Sequence, residues 1–192
     1  MRKLPFLPSR RSVRLKGFDY AQPSAYFLTI CGHENKCLFG EVIFGEMKLN
    51  ALGKIVNECW LEIPNHFTNV EIVTHIVMPN HFHGIVGIQD RVRSAETEVP
   101  GENVAKHLRR AQHAAPLRKP FAVVAPRSIS ALVRSFKAET TKQVRGILRR
   151  PLFSVWQRGY FEHILRDERD FGNAHEYIRL NPSRWDSDEE EF

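Results

Sequence analysis

The chain has 192 residues, 42% apolar and 26% charged, which suits one soluble globular domain with a developed core. No apolar run approaches the roughly 20 residues of a membrane span, and the opening "MRKLPFLPSRR" is too short in its apolar part, and too broken by Pro5 and Pro8, for a signal peptide. Cys31, Cys37 and Cys59 are odd in number and lack C-x-x-C spacing, which argues against a disulfide framework and a cysteine zinc site and leads us to expect a cytoplasmic chain with free thiols.

Net charge is +6, and its distribution is uneven. From Lys106 to Arg150 there are twelve Lys and Arg (106, 109, 110, 118, 119, 127, 134, 137, 142, 145, 149 and 150) against one acid, Glu139. A second basic arm holds Arg2, Lys3, Arg10, Arg11, Arg14 and Lys16. Such segregation favours a polyanionic partner, nucleic acid first, over a merely solvated basic face. The acidic end "DSDEEEF" reads as a solvated tail.

In chain order, "SAYFLTIC" (24–31) is aromatic and β-branched, hence a strand. "LFGEVIFGEMKLN" (38–50) reads as a hairpin with Gly at its bends. Leu52, Ile55, Val56, Cys59, Trp60 and Ile63 recur at helical spacing behind an Asn50 cap. "VEIVTHIVM" (70–78) and "HFHGIVGI" (81–88) are two strands around Pro79-Asn80, apolar on both faces and so expected to be central. Residues 89–126 are polar, basic and proline-punctuated, a long loop. A helix begins at Ser128, with Ile129, Leu132, Val133, Phe136, Thr140, Val144 and Ile147 on one side and Arg134, Lys137, Arg145 and Arg149 on another. Residues 152–166 contain a further strand, and Asp167 caps a last helix that carries Tyr177 in its third turn and ends where Asn181 meets Pro182.

This order predicts an α+β, ferredoxin-like (split βαβ) antiparallel sheet with helices on one face. The expected organisation is a basic arm (1–23), a single domain (24–185) containing the basic loop, and an acidic tail (186–192).

Within "VMPNHFHGIV", strand alternation puts His81 and His83 on one face, two residues apart, a spacing that suits chelation of one metal. If Pro79-Asn80 is a tight connection, Met78 opposes His81, Ile76 opposes His83, and His75 faces away and is excluded as a ligand. The competing reading is a pair of hydrogen-bonded core histidines. His66, His107, His113 and His163 form no recognisable companion motif, which leaves room for a mixed site of two imidazoles, an amide oxygen and substrate or water, suited to magnesium, manganese or zinc.

"MPNHFHGIV", followed by "WQRGYFEHILRDERDFGNAHEYIRLNP", resembles the REP-associated tyrosine transposases, a branch of the single-tyrosine HUH transposases acting on single-stranded DNA. The likeness runs from about Ser24 to Trp185 and is weakest across 89–126. It implies that His81 and His83 bind a divalent metal, Mg2+ or Mn2+, with Asn181 as third ligand, and that Tyr177 is the nucleophile forming a 5'-phosphotyrosine. It also implies a partner of single-stranded DNA beside a hairpin from a repetitive extragenic palindrome, handled by a monomer or a homodimer. Arg10, Arg11, Arg14, Arg134, Lys137, Arg145 and Arg158 are the candidate DNA contacts. Two other classes compete: a non-catalytic nucleic-acid module whose Tyr26 and Phe82 stack bases, and a metal-dependent phosphoesterase that turns over without a protein adduct.

Overall fold

Alternation along the first strand decides the layering. In β1 (Ser24–Cys31), Tyr26, Leu28 and Ile30 belong to one apolar cluster and Phe27 to another, and all four are buried, so both faces of the sheet are covered. The computed structural model describes residues 24–89 and 128–185; the basic arm, the acidic tail and all of the 89–126 loop but Gln89 lie outside the described residues. After β1 come the hairpin strands β2 (Gly40–Ile43) and β3 (Glu46–Leu49), helix α1 (Ala51–Leu61), the short helix α2 (Ile63–His66), and strands β4 (Val70–Val77) and β5 (His81–Ile88). Beyond residue 127 follow α3 (Ile129–Leu148), β6 (Phe161–Leu165) and α4 (Glu168–Leu180).

The main sheet has the order β4-β5-β1-β6 with antiparallel neighbours, the α+β arrangement expected, and β2-β3 form a separate two-stranded ribbon. Two expectations need correction. Strand 70–78 is an edge rather than a central strand; it is apolar on both faces because helices cover both, α1 and α2 on one side and α4 on the other. The helices accordingly do not share a face. Residues of α1 and α3 build the larger core with Tyr26, Leu28, Phe82 and Val86, whereas Ala174 and Ile178 of α4 pack with Phe27 and Ile85 on the opposite side.

The helix starts follow from side-chain caps, each contributing about 1 kcal/mol. Asn50 Oδ1 accepts from the Leu52 and Gly53 N–H groups (2.9 and 3.0 Å), Ser128 Oγ from Ala131 (3.3 Å) and Asp167 Oδ1 from Asp170 (2.8 Å). Ile129, Leu132, Val133, Phe136, Thr140 and Val144 of α3 are buried as their spacing predicts, but Ile147 is 60% exposed, and in the last turn it is Leu148 that packs against the larger core. Trp156 is a core residue: its ring packs on Phe39 and Phe136, and its Nε1 donates to Thr140 Oγ1 at 2.7 Å.

A bulge at Val73 changes the parity of β4. Val70 and Ile72 lie on the larger core, then Thr74 and Ile76 turn to the α4 side, while His75 and Val77 return to the larger core. The two-residue turn of β2-β3 has positive φ at both positions, Phe44 (52°) and Gly45 (75°), as a primed hairpin turn requires.

Gly53 reports how closely α1 sits on the chain before it, because a Cβ there would overlap the Phe39 carbonyl oxygen. Helix propensity alone favours Gly→Ala by up to about 1 kcal/mol. Overpacking against fixed backbone costs roughly 1–3 kcal/mol and should win. Gly53→Ala is therefore expected to lower the urea midpoint, measured by circular dichroism.

Candidate active site

The strand pairing that builds the sheet also assembles the histidines. His83 lies directly opposite Thr29 of β1 and Ile76 of β4, and Met78 N–H donates to His81 O at 2.8 Å, so Pro79-Asn80 is a tight connection. His81 and His83 share the α4 face, their ring centroids 4.5 Å apart. His75 is on the other face, against Trp60 and Phe82, with its Nε2 2.9 Å from Asn57 Oδ1.

Each imidazole is held by its Nδ1. His83 Nδ1 is 2.9 Å from Thr29 Oγ1, and His81 Nδ1 is 2.6 Å from Asn80 Oδ1. An amide oxygen only accepts, so His81 carries its proton on Nδ1 and turns a lone pair out at Nε2. Both Nε2 atoms are enclosed and lack a hydrogen-bond partner. A buried polar atom left in this way costs about 1–3 kcal/mol. Burial pushes the His81 pKa down to about 4, while the Asn181 amide, close enough to favour the charged form, acts the other way without completing a well-aligned bond to Nε2. Burial drives His83 well below the usual imidazole range, and His81 beside it adds to the effect.

Helix α4 delivers the remaining residues. Ala174, Ile178 and Asn181 form its buried stripe, and Tyr177 is half-buried beside them. Asn181 keeps helical φ and ψ (−56° and −45°) despite Pro182, so its side chain stays one turn beyond Tyr177. The Tyr177 ring meets His83 edge-on, centroids 5.2 Å apart, and Phe27 at 6.1 Å, while Phe27 itself stacks on His83. Trp185 lies 6.0 Å from the His81 ring. His163 Nε2, 3.5 Å from Asp170 Oδ2, links β6 to the start of α4. The structure thus brings together His81, His83, Tyr177 and Asn181 from a single chain.

Thr29, Asn80, Phe27 and Trp185 were not singled out as site residues from sequence. Asn80 stands beside the motif and Thr29 is one of three hydroxyl residues in its strand, but their roles depend on pairings the sequence does not display. Among the described residues no three His, Cys, Asp or Glu side chains converge on a metal position, so any cation here needs the Asn181 amide or substrate oxygens.

The candidate DNA contacts divide. Arg10, Arg11 and Arg14 lie outside the described residues, and Arg134 and Arg158 are exposed. Lys137 has a use other than the one expected: half-buried, it donates to the carbonyls of Gln157 (2.6 Å) and Gly159 (2.9 Å), and burial lowers its pKa. It braces α3 to the loop whose Gln157 N–H bonds Cys31 O, rather than offering a free phosphate contact. Arg145 is likewise engaged through Nε with the Phe153 carbonyl (2.9 Å).

Comparison with known proteins places this geometry. The fold is that of a REP-associated tyrosine transposase solved bound to a REP hairpin, at a TM-score of 0.54 with 16% identity over 87% of this chain and 71% of that one. A looser likeness, at a TM-score of 0.44 and 15% identity over 86% of this chain and 96% of that one, is to a crystal structure from Deinococcus radiodurans. No family model matches the chain. A Haemophilus influenzae protein of uncharacterized function is 39% identical over 180 residues, covering 94% of this chain and 92% of its own, and the chain belongs to one family with it.

Neutral histidines that resist charging make folding pH-dependent. Below about 6.5 an unfolded imidazole takes a proton that folded His81 refuses until about 4, so the unfolded state binds more protons across that interval and stability falls as pH drops through it. The His81→Leu, His83→Leu double variant is expected to show a flatter dependence of denaturant midpoint on pH between 6.5 and 4.

Proposed function

We propose that this chain is a metal-dependent nicking and joining enzyme for single-stranded DNA, of the REP-associated tyrosine transposase type, with Tyr177 as nucleophile. The observation that supports this most directly is the meeting of the Tyr177 ring with His83, beside two enclosed Nε2 atoms aimed at no protein partner. His81 Nε2, His83 Nε2 and the Asn181 amide oxygen would hold a divalent cation, magnesium or manganese, which when bound neutralises charge on a phosphate's nonbridging oxygens. Thr29 and Asn80 suit this role, since a metal-binding imidazole is held by a partner on its other nitrogen.

Tyr177 needs such help. A phenol has a pKa of about 10, so only about 0.1% is phenolate at pH 7. In the proposed step the phenol loses its proton and its oxygen bonds to phosphorus. The bond from phosphorus to the 3'-oxygen breaks, and that oxygen leaves as a 3'-hydroxyl after taking up a proton. The resulting 5'-phosphotyrosine keeps the energy of the ester, so another 3'-hydroxyl can reverse the step and join strands without ATP. The contact of Tyr177 with a histidine of its own chain supports a nucleophile that serves the histidine pair of the same chain.

The REP hairpin in the transposase structure suggests a substrate with a DNA hairpin, and the family resemblance adds an unpaired flank beside it. The basic arm, exposed Arg134 and Arg158 are the phosphate contacts we assign to it. The reading as a passive base-stacking module loses its platform, since Tyr26 and Phe82 are both 0% exposed beneath the helices.

Tyr177→Phe should abolish covalent capture of a labelled hairpin oligonucleotide on a denaturing gel while leaving binding intact; an adduct formed by that variant would move the nucleophile elsewhere. With wild-type protein, capture should need manganese or magnesium and disappear in EDTA, and His83→Ala should lose capture despite an intact tyrosine. A small-molecule phosphoesterase would instead release product with no adduct at any time.

A further inference from the structure

Phe44 is the most exposed of the large apolar side chains described, at 101%, and it stands at the tip of the β2-β3 hairpin. Its φ of 52° is left-handed, at the turn position where Asn or Gly is preferred and a bulky residue is disfavoured. The ring belongs to neither core cluster, so the described fold recovers nothing for the unfavourable backbone or for the apolar surface it shows to water. A residue under both penalties calls for a partner outside the described fold.

The hairpin is tied to the candidate active site at its base and at its tip. At the base, Phe39 N–H donates to the Pro79 carbonyl at 3.0 Å, two residues before His81. At the tip, Gly45 packs against Ser183, its missing Cβ position 3.5 Å from Ser183 Cα, in the turn between Asn181 and Trp185. Phe44 therefore stands at the tip of a hairpin that abuts the turn following Asn181.

The surroundings select the kind of partner. Beside Phe44, Ile43 is 38% exposed, but Glu41, Glu46 and Lys48 are charged and exposed, with Glu46 and Lys48 paired at 2.6 Å. A protein interface asks for a contiguous apolar area. One isolated aromatic face amid charges suits a flat ring with polar edges, a nucleobase. We infer that Phe44 stacks on an unpaired base of the DNA strand close to the phosphate presented to Tyr177, which rests on the proposed function and adds a positioning residue to it.

The test uses the full chain and hairpin oligonucleotides carrying 2-aminopurine at successive positions of the unpaired flank. Wild-type protein and Phe44→Trp should quench one position. Phe44→Asn and Phe44→Leu should lose that quench and bind roughly 10-fold more weakly, the size of one base-aromatic stack. Phe44→Asn should keep or raise the Tm, because Asn suits the turn. Binding by Phe44→Leu equal to wild type together with a lowered Tm for Phe44→Asn would make the ring structural and overturn the inference. Unchanged DNA affinity, with a wild-type dimer that Phe44→Asn converts to monomers in sedimentation, would make it a self-association contact and overturn it equally. If wild type forms the tyrosine adduct while the Phe44 variants change neither quench nor affinity, this inference fails alone; if wild type binds no oligonucleotide, the proposed function fails with it.

Discussion

The antiparallel register that sets Thr29 opposite His83 is the constraint on which the site depends. Because side chains alternate, that register places His81, His83, Phe27 and Thr29 on one face and Tyr26, Leu28, Phe82 and Gly84 on the other. A slip of one residue would trade the imidazoles for Phe82 and Gly84 and leave the histidines in the larger core. The penalty is steep on both sides: a Cβ at Gly84 would come within 2.7 Å of the Trp60 ring. Packing in one layer thus enforces chemistry in the other.

Electrostatics on the α4 face follow from the same burial. Enclosure keeps both imidazoles neutral, and neutral imidazole with a fixed Nδ1 is the form whose Nε2 can act as a donor atom toward a cation. The aromatic neighbours, Phe27 beneath His83 and Tyr177 at its edge, limit ring rotation and contribute about 0.5–1.5 kcal/mol per pair beyond their buried area.

Much of the fold was legible because its signals are local. The stripe from Leu52 to Ile63 and the caps at Asn50, Ser128 and Asp167 each follow from residues a few positions apart. What could not be read was relational. A strand buried on both faces carries no mark of which helix covers which side, so α4 was assigned to the wrong layer and β4 to the middle of the sheet. The same holds at the site. His81, His83, Tyr177 and Asn181 stand out by motif, whereas Thr29 acquires its role only from pairing with β5. The charge of Lys137 suggested phosphate, but its neighbours proved to be two backbone carbonyls.

The bulge at Val73 shifts the alternation of β4 by one residue, so that Val70 and Ile72 before it and Val77 after it all meet the larger core. Beyond the bulge the strand leads directly into the turn before His81. An inserted or deleted residue upstream can be taken up at that irregularity before it reaches the turn into His81. The strand therefore works as a buffered joint, in which a shift in its outer part leaves the aim of the imidazole pair unchanged.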